Sequence, residues 1–555
     1  MIKTRLILTG LLLLGGFVSL ATVPQGTTHF GLLSIVPPLF AILMALTTGE
    51  VIPALLCGVW LGSAYLEGGD ILSGLLRTLD LRMVAALADS DHASILLFSL
   101  ILGGMVGILG ASGGSAGIVE RIGRWAKGPR SGQLAAWLMG VIIFFDDYAN
   151  TLIVGNTFRP LTDKLRISRE KLAFIVDSTA APVASIALIS TWIGFEVGLI
   201  ADGMQAAGAG GSPGTAYGIF IATIPYRFYP LFLLLLVFLI GLWDRDFGSM
   251  LKAEKRCRTT GQVLRLDAKP IAADRSMDCA VTAVTDRSWI WGIAPVAIVI
   301  LATIIGLYFS GKQQLGGEAV SAPLYRIVSS ANSFSVLMWA SFAGAACAAF
   351  LGVWGAGLSL AAVMQAMIAG IKAMTPAVII LILAWSIGGI CKELETADYV
   401  INLSSGFLSP HLIPMLTFII SAAVSFATGT SWGTLSILMP IVIPLAYQFP
   451  LQAGIDGILS HGIFLGTIGA VLAGSTFGDH TSPISDTTIM SSMASGADHL
   501  DHVKTQIPYA STAAGVSILL GYVPVGFDMN PLLSLLAGGT AVAITLKVVG
   551  KKVSG

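Results

Sequence analysis

Apolar residues fill long uninterrupted blocks of this chain. The blocks cover 31–47, 50–66, 94–116, 172–200, 226–243, 289–309, 333–356, 376–391, 460–491, 507–523 and 531–548. A helix that is apolar all round has no face for water. Blocks near ~20 residues match the thickness of a bilayer, so the pattern predicts membrane helices. Two stretches, 71–90 and 358–375, are amphipathic and predict helices lying at the membrane surface. Two more, 133–158 and 411–447, are apolar at their ends and polar in the middle. At the start, Lys3 and Arg5 precede an apolar run that ends near Ser19-Leu20-Ala21. Residues 1–23 read as a cleaved signal peptide or as a first membrane helix, and either places Thr22 outside.

Positive charge orients these blocks. With the N-terminus, 117–132, 159–171, 243–288, 357–375, 492–506 and the C-terminus on the cytoplasmic side, that side holds 25 Lys and Arg residues. The other side holds six: Arg77, Arg82, Arg227, Lys312, Arg326 and Lys392. The expected location is the inner cell membrane, multi-pass, with the loop 243–288 cytoplasmic. That loop carries nine basic and seven acidic residues and reads as a solvated linker.

The stretch 133–158 lies between two basic loops, one with Arg121, Arg124, Lys127 and Arg130, the other with Arg159, Lys164, Arg166, Arg169 and Lys171. A single crossing would put one loop outside. A re-entrant hairpin satisfies both, with Phe144-Phe145-Asp146-Asp147-Tyr148-Ala149-Asn150-Thr151 at its tip. Non-helical backbone at that depth is tolerated only within protein or beside a water-filled cavity.

The second half echoes the first in order. Ile35-Val36-Pro37 matches Ile293-Ala294-Pro295, Gly58-Val59-Trp60 matches Gly352-Val353-Trp354, and Gly103-Gly104 matches Gly388-Gly389. The Asp146 hairpin matches one at Thr428-Gly429-Thr430-Ser431-Trp432-Gly433-Thr434. Asp177-Ser178-Thr179 matches Gly474-Ser475-Thr476, and Ile224-Pro225-Tyr226 matches Ile507-Pro508-Tyr509. The expected fold is an all-α polytopic membrane protein of two inverted-topology repeats, each of about five segments with a re-entrant hairpin and a broken helix. The repeats would span 30–243 and 289–525, joined by the cytoplasmic linker 244–288 and followed by an extra membrane helix at 531–548.

Composition agrees. Hydrophobic residues make up 55% of the 555 and charged residues 11%, where soluble domains carry about 25% charged residues. Net charge is zero, which gives no footing for nucleic acid. Cys57, Cys257, Cys279, Cys347 and Cys391 have neither disulfide-like nor zinc-like spacing. No Ser/His/Asp or metal-ligand spacing suggests an enzyme or a resident cofactor.

Ionisable groups inside membrane segments cost about 3 kcal/mol or more each and are candidates for function. Here they gather at the expected breaks: Asp146 and Asp147, then Asp177, then Asp479, His480 and Asp486. Hydroxyl and amide oxygens accompany them at Asn150, Thr151, Ser178, Thr179, Thr428, Thr430, Ser431, Ser475 and Thr476. Such oxygens suit a hard cation such as Na⁺. A carboxylate in a low-dielectric site resists ionisation, so it holds either a proton or Na⁺, and that exclusion couples the two fluxes. Asp147, Asp177, Asp479, His480 and Asp486 are the expected proton or pH-sensing groups. Other roles stay open. Asp147 and Asp177 also fit as helix caps, His480 as a satisfied core residue, and Asp486 as a group about ten ångströms nearer the cytoplasm by helical rise. Glu196 reads as a structural hydrogen-bonding group and Arg227 as a side chain snorkelling outward.

Four motifs resemble the NhaC-type sodium/proton antiporter family: Phe144 to Thr151, Asp177-Ser178-Thr179-Ala180-Ala181-Pro182, Gly429-Thr430-Ser431-Trp432-Gly433-Thr434, and Gly478-Asp479-His480-Thr481-Ser482-Pro483-Ile484-Ser485-Asp486-Thr487. The likeness spans roughly residues 30–525. It implies membership of the ion-transporter superfamily, a homodimer, and a mobile part that holds both hairpins. The expected function is Na⁺/H⁺ exchange. The alternative is Na⁺- or H⁺-coupled transport of a small organic acid or amino acid.

Overall fold

The computed structural model describes residues 2–23, 30–48, 50–114, 117, 121, 126–210, 213–270, 288–316, 327, 331–396, 398–399, 409–483 and 485–553. Among the described residues the regular structure is helical apart from one two-stranded ribbon, Arg245–Asp246 paired antiparallel with Lys551–Lys552. Among the described residues, eight helices are long and apolar enough to cross a membrane. A bent pair, Thr215–Tyr226 and Phe228–Trp243, meets at 48° and makes a ninth if counted as one span. Outward-facing Leu519, Leu536, Phe342 and Trp354 are each more than 60% exposed. Exposed apolar surface on this scale is a lipid-facing surface, and the protein is a multi-pass membrane protein.

Helices pack where side chains are absent. A Cβ on Gly107 of the helix Ser90–Ala111 would lie 2.2 Å from the Ala366 carbonyl oxygen on the helix Leu360–Ala373. Small residues at that seam let two backbones touch, which dispersion rewards in lipid. The same device joins Ile413–Thr428 to Gly462–Thr481. A Cβ on Gly478 would lie 2.3 Å from the Phe426 nitrogen. Ser421 and Ser425 then donate across the seam to the carbonyls of Val471 and Ser475, at 2.8 and 2.6 Å.

The stretch 133–158 is two helices. Pro129–Ile142 starts at Gly128, where the Ser131 hydroxyl oxygen accepts from the Gly128 N–H at 3.0 Å. It ends at Ile143, and a new helix, Asp147–Lys164, begins four residues later and packs against it. In the second half, Ile413–Thr428 ends at Gly429, whose φ of +72° is left-handed and favours glycine. Thr430 then caps the helix Ser431–Gln452 by accepting from the Gly433 N–H at 3.3 Å. That second arm, at 22 residues, is long enough to cross on its own.

Several expectations are corrected. Gly474-Ser475-Thr476 does not break its helix, which runs from Gly462 to Thr481 and stops at Ser482. The following helix starts afresh at Asp486, so no continuous helical rise links Asp479 to Asp486. Ile224-Pro225-Tyr226 is a 3₁₀ turn, but its proposed match Ile507-Pro508-Tyr509 lies inside the helix His499–Val516. Residues 499–506, read as loop, are helical, with His502 and Gln506 fully buried. Arg227 does not snorkel. It is buried against Glu196, with 2.9 Å between Nη1 and Oε2, and Nη1 also donates to the Ser185 carbonyl. Two charges inside an apolar bundle persist when each neutralises the other.

The linker is only partly solvated. Gly248–Thr260 is a docked helix with Glu254 buried, accepting from the Ser168 N–H at 2.8 Å. Lys171, counted as a loop cation, is buried and paired with Asp246, which also accepts from the Tyr509 hydroxyl at 2.7 Å. The rest of the linker, 271–287, lies outside the described residues, as do Arg124, Arg326, Cys279 and Ile484.

Candidate functional site

Two short unwound segments set the site, one at the Asp146 turn and one at Gly429. The first is held by Asn150. Its amide nitrogen donates to the carbonyls of Gly140 (2.6 Å), Ile143 (3.0 Å) and Thr179 (2.8 Å). The last carbonyls of a helix have no partner of their own. Asn150 thus satisfies the end of the arm Pro129–Ile142 and ties it to the end of Arg169–Thr179. Gly140 permits this approach, since a Cβ there would lie 2.0 Å from the Thr179 hydroxyl oxygen. The Asn150 carbonyl oxygen Oδ1 is buried with no hydrogen-bond partner.

Beyond the Asn150 clamp, the chain breaks again. The helix Ala181–Ile186 stops, residues 187–192 are irregular, and Ile193–Ala206 follows. In that break the Thr191 N–H donates to the Phe145 carbonyl at 2.9 Å, joining it to the first tip. A break in the second half lies between the helices Gly462–Thr481 and Asp486–Ser495. There Ser485 caps the helix Asp486–Ser495 and its hydroxyl donates to Asp479 Oδ1 at 2.7 Å. Ser431, at the second tip, donates to Asp479 Oδ2 at 3.0 Å.

These pieces enclose a cavity of ≈ 90 Å³. Asp147 and Tyr148 line it from the first tip, Thr430, Ser431 and Trp432 from the second, Thr191 from one break, and Asp479 and Thr487 from the other. An apolar wall comes from Ala373, Met374, Pro376 and Ile380. Trp432 stacks on Phe195 with 4.4 Å between ring centroids, which locks the second tip to the first half of the chain. Asp147, Ser431 and Thr487 sit at the starts of the helices Asp147–Lys164, Ser431–Gln452 and Asp486–Ser495, Thr191 lies just before Ile193–Ala206, and Asp479 lies at the end of Gly462–Thr481. Helix starts present unpaired N–H groups and partial positive charge. Two carboxylates, Asp147 and Asp479, answer that charge from opposite halves of the sequence.

Of the expected site residues, the cavity gathers Asp147, Thr430, Ser431 and Asp479. Asp146 is buried in the same unwound turn but is not among the lining residues. Thr151, Thr428, Ser475 and Thr476 turn their hydroxyls back onto their own helices, at 2.8 to 2.9 Å. Thr179 does the same toward Ile175 at 2.8 Å. The side chain of Asp486 lies outside the described atoms.

Asp177 and His480 form a second buried cluster behind the cavity. His480 lies 3.1 Å from the Ser178 hydroxyl through Nε2 and 2.8 Å from the Tyr229 hydroxyl through Nδ1. Asp177 accepts from Gln506 Nε2 at 3.1 Å and from Ser491 at 3.4 Å. Gln506 also donates to the His480 carbonyl at 2.5 Å.

Thr191, Tyr229, His502 and Gln506 were missed from the sequence, and Ser485 and Thr487 were read as part of a motif but not placed in the site. Two signals pointed to them. Ile189-Ser190-Thr191 echoes Ile484-Ser485-Asp486, and His502 and Gln506 are spaced to share one helical face.

The sequence profile of the Na⁺/H⁺ antiporter family matches residues 183–527. An uncharacterised protein of Haemophilus influenzae is 32% identical over 520 residues, covering 93% of this chain and 94% of that protein. The malate-2H⁺/Na⁺-lactate antiporter of Bacillus subtilis is 32% identical over 181 residues, 31% of this chain and 34% of that protein. In fold, the chain is similar to the Neisseria gonorrhoeae antimetabolite efflux pump MtrF, with a TM-score of 0.52 at 12% identity, covering 96% of this chain and 98% of that one. The family profile covers more than half of the chain, and the chain belongs to the Na⁺/H⁺ antiporter family of secondary transporters.

Proposed function

We propose that this protein exchanges Na⁺ for H⁺ across the cytoplasmic membrane, with Asp147 and Asp479 as the carboxylates for which the two ions compete. One observation carries the reading. A carboxylate from each half of the chain faces a single ≈ 90 Å³ cavity that hydroxyl oxygens share. Organic-ligand pockets run from about 300 Å³ upward, so this cavity suits a small cation with little water. Thr191, Thr430, Ser431 and Thr487 offer further oxygens, a donor set for a hard ion. Na⁺ binding would stabilise the ionised carboxylates and expel protons, and protonation would release Na⁺.

In this reading the two hairpins are re-entrant, dipping from opposite faces of two inverted repeats at 30–243 and 289–525. The linker lies in the cytoplasm, and the protein works as a homodimer in which the hairpin-bearing part moves. Buried but non-lining residues would position the site: Asp146, Asn150, Thr151, Ser178, Thr179, Thr428, Ser475 and Thr476. Asp177, His480 and Asp486 would handle protons.

The test is reconstitution in vesicles that enclose a pH-sensitive dye. Na⁺ added alone should change the lumenal pH at once. Silence until an organic acid is added overturns the reading.

A second reading has its own support. The helix starts at Asp147, Ser431 and Asp486 around one cavity favour a carboxylate group on a substrate, and one relative is named for malate and lactate. Under it, the same vesicles would respond to Na⁺ only with such an acid present.

A further inference from the structure

A line of polar side chains runs from Asp177, behind the cavity, to the surface near the linker. Asp177 Oδ2 lies 3.8 Å from His502 Nε2, with both side chains buried. His502 Nδ1 lies 2.9 Å from the Ser492 hydroxyl, which lies 3.0 Å from His499 Nδ1. His499 Nε2 meets the Pro483 carbonyl at 2.7 Å, and Pro483 is exposed. His499 itself is partly exposed, beside Asp498, which accepts from the Lys269 N–H of the linker at 2.8 Å.

Counting protons along this line gives a deficit. A carbonyl oxygen only accepts. Pro483 therefore requires a proton on His499 Nε2, and the Thr488 carbonyl, 2.9 Å from Ser492 Oγ, takes the Ser492 hydroxyl proton. The Ser492 oxygen then accepts from both rings. That arrangement places a proton on His502 Nδ1 and calls for a second proton on His499. With both rings neutral, His499 lacks that proton. His502 Nε2 becomes a bare lone pair facing a carboxylate, and it is buried without a hydrogen-bond partner. Gln506 Oε1 in the same cluster also lacks a donor, while the Gln506 amide nitrogen donates to Asp177 and the His480 carbonyl. The array closes only when it takes up protons. The titratable groups facing His502 are Asp177 from Arg169–Thr179, His480 from Gly462–Thr481 and His499 from its own helix.

We infer that His499, Ser492 and His502 relay protons from the linker-side surface to Asp177, which makes Asp177–His502 a proton site separate from the cation cavity at Asp147 and Asp479. This rests on the Na⁺/H⁺ reading above and deepens it. One passage starts from the other neutral tautomer, with the His502 proton on Nε2 and the bare Nδ1 facing the Ser492 hydroxyl, and water gives a proton to His499 Nδ1. The His499 Nδ1 proton moves to Ser492 Oγ, and the Ser492 hydroxyl, turning from Thr488, gives its own to His502 Nδ1. The His502 Nε2 proton moves to Asp177. Every N–H or O–H bond broken is replaced by one formed, and the net change is one proton taken from water and one O–H on Asp177. The two sites touch through the adjacent residues Asp479 and His480. The Asp479 side chain binds the cavity tip, and the His480 backbone carbonyl binds Gln506.

The test uses the full chain in dye-loaded vesicles. His499→Ala should lower Na⁺-driven proton flux about tenfold or more, and imidazole added to the medium should restore it, because the site is reached from water. His502→Gln should show the same loss without rescue, because that site is closed to imidazole. Size-exclusion chromatography and thermal melting check that both variants fold. Wild-type flux in both variants overturns the relay. Loss in a folded His499→Ala protein that imidazole does not relieve also overturns it, because the residue is then structural. A wild-type protein silent toward Na⁺ overturns the exchange reading itself, and the relay with it.

Discussion

The Ser431 hydroxyl donates to the Asp479 carboxylate at 3.0 Å, so the tip of the second hairpin is fastened to the end of the helix Gly462–Thr481. Ser485 holds the other carboxylate oxygen at 2.7 Å. Asp479 is thereby oriented toward the cavity by one residue on each side of it, and a fixed carboxylate needs no reorganisation when a cation arrives.

Asp479→Asn and Asp147→Asn should therefore each abolish Na⁺-driven proton movement while leaving a folded protein. Asparagine keeps the shape and one acceptor oxygen, offers an NH2 donor in place of the other, and carries no exchangeable charge. Dye-loaded vesicles measure the first effect and thermal melting the second. Wild-type exchange in both variants would remove these carboxylates from the site.

Asn150 is expected to matter for stability before it matters for ions. Its amide serves three buried carbonyls. Asn150→Leu should destabilise the protein by about 2 kcal/mol or more, at roughly 1 kcal/mol for each of the two amide N–H groups shared among the three carbonyls. The drop should appear in a melting curve recorded in detergent, without Na⁺.

The Arg227–Glu196 pair gives a sign test. Arg227→Met leaves a buried carboxylate alone and should cost about 3–5 kcal/mol. Adding Glu196→Met removes that charge too and should recover most of the loss. A double-mutant cycle on melting temperature reads the coupling. Additive losses would show that the two side chains act independently.

The seam between Ile413–Thr428 and Gly462–Thr481 makes a third structural test. Gly478→Val would drive a side chain into the Phe426 backbone and should destabilise by about 1–3 kcal/mol or more. Gly515→Ala, on a helix with nothing within 4 Å of the new Cβ, should be neutral or stabilising by up to about 1 kcal/mol.

Much of this protein was legible in the chain. Apolar block length made it a membrane protein, because no water-facing helix is apolar on every side. The polar interruption at Asp146 and Asp147 foretold a helix break, because a buried carboxylate needs donors that a regular helix does not offer. Asp479 and Ser431 stood out for the same reason. The exact breaks were not legible. Gly474-Ser475-Thr476 resembles a break in composition, yet its hydroxyls bond back to the helix and its glycine serves a close helix crossing.

Sequence by itself determined the class: an apolar, polytopic chain with ionisable groups at a few polar interruptions, because transfer free energy depends on residue type and block length alone. Tertiary structure alone decided which of those groups meet. Arg227 is spent on Glu196, Lys171 on Asp246, and His502 faces Asp177, while Asp147 and Asp479 share a cavity although 332 positions separate them along the chain. Such pairings depend on how helices cross, and a one-dimensional pattern carries no information about distance in the folded chain.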